Sequence, residues 1–407
     1  MTSRMRGAAC LLAALLLGSA AAAEDRPVFA FGYLDLAEDI RYSRWGVHPV
    51  DIRSETNRID RRPLAGAEMG VSDIRSFGRR AGVQFTLRAE RVAEANELPA
   101  ALDAIQAETG AFVFLVDAPA AALRELAAAT TGRDVILINV SAVGDSLRGE
   151  ACEAHLLHTA PSRQMLTDAA AQYLIARDWN EVLVLQGPLE EDARTVEAFR
   201  HSAGTYGLKI DEERTFVLSN DPRMRDRNDL DLLTGRADYE AVFVADVDRE
   251  FARSVPYSTQ DPAAVTGAAG LRPTPWHWSY LRHGAPQVHG RFERQTGRRM
   301  EGGDWAAWVA IRAIGEAIVR SGSTARGDVH AYLLGPEFRL DGSKGPALSF
   351  RPWNGQLRQP IMLATEDWVT AVAPLAGFVH QVNDLDTLGR DERTSDCSKF
   401  ATPEQPT

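Results

Sequence analysis

Gly144-Asp145-Ser146-Leu147 places a serine in the setting of a hydrolase nucleophile. Such a serine needs a histidine base and an acid that orients it. The partners are misplaced. Asp328-Val329-His330 has a single residue between acid and base where these hydrolases have a pair, and Leu218-Ser219-Asn220-Asp221 lacks the glycine of the companion block. No Gly-x-Ser-x-Gly elbow occurs. Ser146 therefore reads as a loop or helix-start serine. His155 and His158 could share a metal on a helix, but the run 155–160 reads as extended, which sends them to opposite faces. Asp384, Asp386, Gly389, Asp391 and Glu392 resemble a calcium loop, yet Leu388 and Ser395 fall where ligands are required. They read instead as an acidic tail on a solvated surface. The glycine fingerprint of dinucleotide binders and the Gly-Lys-Ser/Thr phosphate loop are both missing. Trp276, Trp278 and Tyr280 alternate after a strand, as core packing or as an aromatic wall facing a ligand. These residues call for no catalysis, metal or cofactor.

The elements that would position them alternate in period. Val28–Leu36, Val83–Val92, Ala111–Val116 and Asp134–Val140 are strand-like, and helical spacing occupies 63–81, a stretch through Leu98, Leu102 and Ile105, and a stretch from Pro119 to Gly132. That alternation predicts a parallel, doubly wound sheet. The pattern then repeats. Ser162 is placed as a helix N-cap, with strands at 181–185, 210–218, 241–245 and 265–271 and a helix at 190–206. A strong helix follows at 303–321 through Trp305, Trp308, Ile311, Ile314 and Ile318, and Asn354-Gly355 signals a hairpin.

Residues 1–23 carry Arg4 and Arg6, an apolar run at 8–17 and Ala21 and Ala23 before the expected cleavage, the pattern of a secretory signal. The mature chain is then exported and not stably inserted in a membrane. The net charge of −11 argues against nucleic acid as a partner. Export leaves Cys152 and Cys397, an even count in an oxidising compartment, so a disulfide between them is expected.

Several stretches resemble a known family. They are Pro63-Leu-Ala-Gly-Ala-Glu-Met-Gly70, His158-Thr-Ala-Pro-Ser-Arg-Gln164, Arg320-Ser-Gly-Ser-Thr324 at the end of the 305–323 segment, and Phe338 to Phe350. In order and spacing they resemble type I periplasmic substrate-binding proteins of the branched-chain amino acid ABC transporter kind. The segment 156–187 resembles a subgroup associated with PQQ-dependent alcohol dehydrogenase systems. The resemblance implies an α/β, two-lobe fold, each lobe a mostly parallel sheet flanked by helices. It implies a first lobe of 24–143 plus about 276–335, a second of about 155–271 plus about 338–373, and an acidic tail at 374–407. It also implies a small-molecule ligand and membrane and ATPase subunits of an importer as partners.

Ligands of open α/β sheets sit beyond the carboxyl ends of the strands. The candidate ligand-binding positions are therefore Tyr33, Asp35, Asp117, Ser141, Ala142, Gln186, Gly187, Asp246 and Gly270, with Trp276 as the aromatic wall. Amino-acid binders of this fold hold the ligand carboxylate with hydroxyls and helix N-terminal amides. Here the loop after the third strand, 116–121, has no hydroxyl, and Asp117 would repel a carboxylate. Asp35, Asp117 and Asp246 gathered in one cleft call for a ligand with a positive or donor-rich face. The functional expectation is a solute-binding component of an importer linked to alcohol oxidation. The alternatives are a sensor or accessory protein of a periplasmic quinoprotein system and an exported hydrolase. A cleft filled by the chain's own side chains would favour the accessory role.

Overall fold

The computed structural model describes residues 26–43, 61–217, 219 and 221–400. The expected signal segment, and Leu218 and Asn220 of the companion block, lie outside the described residues. The first sheet is formed by β1 (Val28–Leu36), β2 (Gln84–Val92), β3 (Val113–Asp117), β4 (Ile136–Asn139) and β5 (Leu156–His158). Its order is β2-β1-β3-β4-β5, with every pairing parallel. Its helices are the short α1 (Ile40–Ser43), then α2 (Leu64–Asp73), α3 (Arg75–Ala81), α4 (Leu98–Thr109) and α5 (Ala120–Ala129).

The strand period of two builds both faces of this sheet. Phe29, Phe31 and Tyr33 point into one core, while Ala30, Leu34 and Leu36 enter the other against α4 and α5. The 63–81 stretch is one helix by spacing but breaks at Ile74 into α2 and α3.

Ser162 caps the next helix as expected, its hydroxyl accepting from the Met165 amide at 3.2 Å. That helix is α6 (Arg163–Ile175), which leads into the second sheet. The sheet comprises β6 (Glu181–Gln186), β7 (Lys209–Thr215), β8 (Ala241–Ala245) and β9 (Ala264–Gly267), with α7 (Glu190–Tyr206) and α8 (Leu230–Thr234) between them. Its order is β7-β6-β8-β9, again parallel. Phe199 of α7 stacks on Phe243 at 3.8 Å on one face, and Phe216 on Phe251 at 4.0 Å on the other.

The chain then returns. After β10 (Arg272–Thr274) come α9 (Ala285–Thr296), α10 (Gly302–Ser321) and α11 (Arg326–Leu334). All three contribute to the core over the first sheet, and Trp305, Trp308, Ile311, Ile314 and Ile318 are buried there. The hairpin of β11 (Ser349–Phe350) and β12 (Leu357–Arg358) follows, antiparallel around Asn354-Gly355. Phe338, Leu340, Leu348, Phe350 and Leu357 join the same core as Trp305. Finally β13 (Ile361–Ala364) pairs with β10 and with β14 (Val369–Ala373), and the two strands pack on α6. The segment 338–358 thus packs with the first sheet, while 361–373 lies between, with Ile361 and Ala373 on α6 and Met362 in the core of the first sheet.

The acidic tail is solvated only in part: Asp384 and Glu392 are exposed, as expected. Asp386 is buried and accepts from Arg351 Nε at 2.8 Å and Arg358 Nε at 2.8 Å. Leu388 packs with Met165 and Ile361, and Phe400 enters the core of the first sheet. The sequence could not show this, because nothing local marks an aspartate whose cations lie 28 and 35 positions away. Cys152 and Cys397 are bonded, with Cα atoms 5.6 Å apart, as expected.

Candidate functional site

At the carboxyl end of the first sheet β1 and β3 run in register, pairing Tyr33 with Leu115 and Asp35 with Asp117. Two aspartates thus end adjacent strands, and both are buried. A buried carboxylate needs a cation or several donors, or it takes up a proton. Asp35 is met by Arg91, with Nε at 2.9 Å and Nη2 at 2.8 Å, and by Arg62 Nη1 at 3.2 Å. Arg62 also donates to the Ala37 carbonyl at 2.9 Å, so it ties the loop after β1 to the strand end.

Asp117 is met by α1. Arg41 Nη2 donates to it at 3.0 Å and the Tyr42 hydroxyl at 2.9 Å, while the Tyr33 hydroxyl reaches it at 3.4 Å. Arg41 Nη1 donates to the Ser141 hydroxyl at 2.8 Å, and Arg41 Nε lies 3.0 Å from both oxygens of Asp39. Tyr33, Asp117 and Ser141, three of the positions expected from sequence, therefore converge on one point. The point holds a guanidinium of the chain itself. Burial pushes the Asp117 carboxyl up, and Arg41 works against that shift. Burial also raises Asp39, but its bonds to Arg41 outweigh this and hold it below the usual carboxylate range. Burial raises both tyrosine hydroxyls well above their ordinary value, so they act as donors.

The other first-sheet position is closed. Asn139 Oδ1 accepts the amides of Ser141 at 3.1 Å and Ala142 at 2.8 Å, and Arg148 Nη1 takes the Ala142 carbonyl at 3.0 Å. Ala142 has no free backbone group to offer a ligand.

At the carboxyl end of the second sheet Asp246 is also engaged. Its Oδ2 accepts the Ala252 amide at 2.8 Å, folding the loop 247–252 back on the strand. Burial pushes its carboxyl up. Asp192, at the start of α7, ties the neighbouring loops together by accepting the Leu189 amide at 3.0 Å and the Val247 amide at 2.7 Å. A Cβ at Gly187 would lie 2.3 Å from Asp192 Oδ2, so the glycine there is required by close approach. Gly270 has φ +65° and sits in a tight turn against Val265, with no side chain to present. Gln186 ends β6 with its side chain half-buried. Trp276 is core rather than wall: it is buried and stacks on Trp305 at 6.4 Å. The charge argument for an open three-carboxylate cleft therefore fails, because all three acids are satisfied internally.

Sequence reasoning missed Arg41, Tyr42, Arg62 and Arg91. The available signal was the pair of expected buried acids, which demand cations, together with Asp39-Ile40-Arg41-Tyr42 directly after β1.

The chain crosses between the sheets at 159–162, 275–284 and 359–360. The first and last crossings are held by the buried cations Arg148 and Lys344, which have no carboxylate in contact among the described residues. Lys344 Nζ donates to Gln359 Oε1 and the Pro360 carbonyl, each at 2.9 Å, and lies 3.6 Å from the centre of the Trp305 ring. Gln359 in turn donates to the Thr159 carbonyl at 2.8 Å. Arg148 gives its donors to Gln356 Oε1 and the carbonyls of Ala142, Gly144 and Ala160. Burial pushes its guanidinium down to about 9.

The other tempting residues have structural partners. Ser146 lies in a turn at 145–148 and bonds to no histidine among the described residues. His155 Nε2 lies 2.9 Å from the Thr130 hydroxyl, and His158 Nδ1 accepts from Asn139 at 3.1 Å. Two surface hollows lie away from the carboxyl ends of the strands. One of about 430 Å³ is lined by Arg133, Glu153, His155 and Arg326 at the amino ends of β4 and β5. Another of about 330 Å³ lies between α2 and α9, at Ser72, Asp73 and Arg291. Among the described residues no helix is long and apolar enough to cross a membrane.

No family model and no curated protein matches the sequence. Solved structures do. A branched-chain amino acid ABC transporter periplasmic ligand-binding protein from Burkholderia xenovorans superposes with a TM-score of 0.69 at 12% identity, over 92% of this chain and 100% of that one. The leucine-, isoleucine-, valine-, threonine- and alanine-binding protein of Brucella ovis, in a closed conformation, gives 0.68 at 12% identity over 92% and 100%. An ABC transporter solute-binding protein from Rhodopseudomonas palustris, in complex with 3,4-dihydroxybenzoic acid, gives 0.61 at 13% identity over 83% and 93%. At such identities the likeness establishes the fold, and that fold is the two-lobe architecture of type I periplasmic binding proteins.

Proposed function

We propose that this chain is the solute-binding component of an ABC importer and works in the periplasm, with separate membrane and ATPase subunits as partners. The observation that carries the reading is the convergence of Tyr33, Asp117 and Ser141 on one cation-holding point. That point lies at the carboxyl ends of β1, β3 and β4, where open α/β sheets take their ligands. With Arg41 moved away, Asp117 would meet the solute without its cation, so the solute presents a positive, donor-rich face there. The resemblance of 156–187 to proteins associated with PQQ-dependent alcohol dehydrogenases supports an importer that works beside such an oxidation system. The test is ligand-induced stabilisation over amines, amino acids, carboxylic acids and metal complexes. A true ligand at a hundredfold excess over its dissociation constant raises stability by about 2.7 kcal/mol. A chain that no compound stabilises is not a solute carrier.

A second reading, a sensor or accessory protein without transport, is favoured by one observation. Arg41 and Tyr42 already fill the position on the first sheet that a solute would take.

A further inference from the structure

Asp117 is wholly buried, and its neighbours on the sheet bring the Tyr33 hydroxyl and a second carboxylate, Asp35, but no positive charge. The positive charge that touches it comes from Arg41, carried on the four-residue α1. Every nitrogen of that guanidinium is engaged: Nε on Asp39, Nη1 on Ser141, and Nη2 on Asp39 and Asp117. Tyr42 adds its hydroxyl to Asp117 and its ring lies beside both Arg41 and Arg62. The surrounding charges are already matched, Asp35 by Arg62 and Arg91.

The parts of this arrangement differ in what they are attached to. Asp39, Arg41 and Tyr42 belong to one short arm and would leave together. Tyr33, Asp117 and Ser141 lie on or directly after strands and would stay. If the arm left alone, Asp117 would be buried without a cation, which proteins tolerate poorly. Whatever replaces the arm must therefore bring its own charge and several N–H donors in a plane, the geometry of a guanidinium. A carboxylate or phosphate offers neither.

We propose that Arg41 is a built-in stand-in for the ligand: the solute of this site carries a guanidinium or amidinium group and binds by displacing Arg41 and Tyr42 from Asp117 and Ser141. The proposal rests on the reading of these strand ends as the solute site. It makes the resting protein self-occupied, so the apparent affinity is reduced by the fraction of molecules in which the arm is away. The same contact accounts for both functional readings, since a self-occupied site responds only to a solute able to outcompete its own arginine.

The test titrates methylguanidine, agmatine and propionate into the full mature chain, its Arg41→Ala and Arg41→Gln variants, and the Arg41→Ala/Asp117→Asn double variant. Calorimetry reads binding and circular dichroism checks folding. The expected result is at least tenfold tighter methylguanidine binding to the Arg41 variants than to the wild type. That gain is lost in the double variant, and propionate is ignored throughout. If neither Arg41 variant folds, Tyr42→Phe, which removes one donor from Asp117 and keeps the ring, must show a gain of the same sign. Equal binding of methylguanidine by wild type and variants overturns the proposal, as does a gain that survives Asp117→Asn. A neutral or anionic compound bound equally by all of them overturns it but leaves solute binding standing. No binding of any compound by any variant overturns both.

Discussion

Lys344 and Asp168 show what burial does to a single charge. Lys344 has no carboxylate in contact, and burial alone pushes its amine well below the ordinary lysine value. The sign follows from linkage. The unfolded chain binds this proton below about pH 10 and the folded one resists it, so stability falls as the pH drops from about 10 toward neutrality. Lys344→Met removes that contribution. Urea midpoints at pH 7.5 and 9.5 should therefore rise less with pH in the variant than in the wild type; parallel lines would mean that the amine is not held neutral. Asp168 shows the opposite sign. It accepts from Gln164 at 2.8 Å, Ser202 at 2.7 Å and the Gly389 amide at 2.6 Å, without a cation in contact. Burial raises its carboxyl to about 6. Its folded value lies above its unfolded one, so its contribution is full below about pH 4 and is lost as the pH rises through about 6, a difference of roughly 3 kcal/mol. Asp168→Asn should show a smaller rise in stability than the wild type between pH 7 and pH 5, measured by chemical denaturation. At this scale the sequence was half legible. That Asp117 demands a positive partner followed from its place at a strand end. That the partner is Arg41 did not, because the contact spans 76 positions and depends on how the chain leaves β1.

Among the elements, those that are apolar throughout or strictly periodic were read correctly. β1, α7 and β8 stand where their patterns placed them, because their burial is continuous or regular. The break between α2 and α3 was invisible, since the apolar spacing runs through Ile74 unbroken. α9 was missed because its polar face dominates the segment, with Gln287, Arg291, Glu293, Arg294 and Gln295 around the buried Val288, His289 and Phe292. β13 and β14 gave only a strand-like impression, since the pairing of β13 with β10 is set by a chain that returns from the other sheet. The packing of α2 on α10 turns on Gly66. A Cβ there would lie 2.0 Å from the Asp304 carbonyl oxygen, a backbone atom that no side-chain rotation can move. Gly66→Ala is expected to destabilise by about 3 kcal/mol, the upper end of ordinary overpacking. A urea midpoint unchanged from wild type would show that the helices can separate without cost.

For the whole molecule, the two-lobe plan followed from alternation of strands and helices, while the course of the last residues did not. The tail packs on α6 through Leu388, bonds through Asp386 to Arg351 and Arg358, and ends in the first core with Phe400 beside the Cys152–Cys397 bond. Thiol titration of the unfolded, unreduced exported protein, without residues 1–23 and hence without Cys10, should find no free cysteine. Reduction should lower stability by at most roughly 5 kcal/mol, the chain-entropy limit for so long a loop. The larger consequence is mechanical. The chain passes between the lobes at 159–162, 275–284 and 359–360, and the first and last of these lie side by side, Gln359 donating to the Thr159 carbonyl. The tail leaves the second lobe after β14 and is riveted covalently to the first at Cys152, so it closes a linkage that the crossings alone leave open. A body hung on adjacent pivots swings freely; the same body with a strut to its partner has a stop. Cutting the bond with a reductant should lengthen the stroke of the lobes, seen as a broader distance distribution between fluorophores on α4 and α7, while each lobe keeps its own helix content.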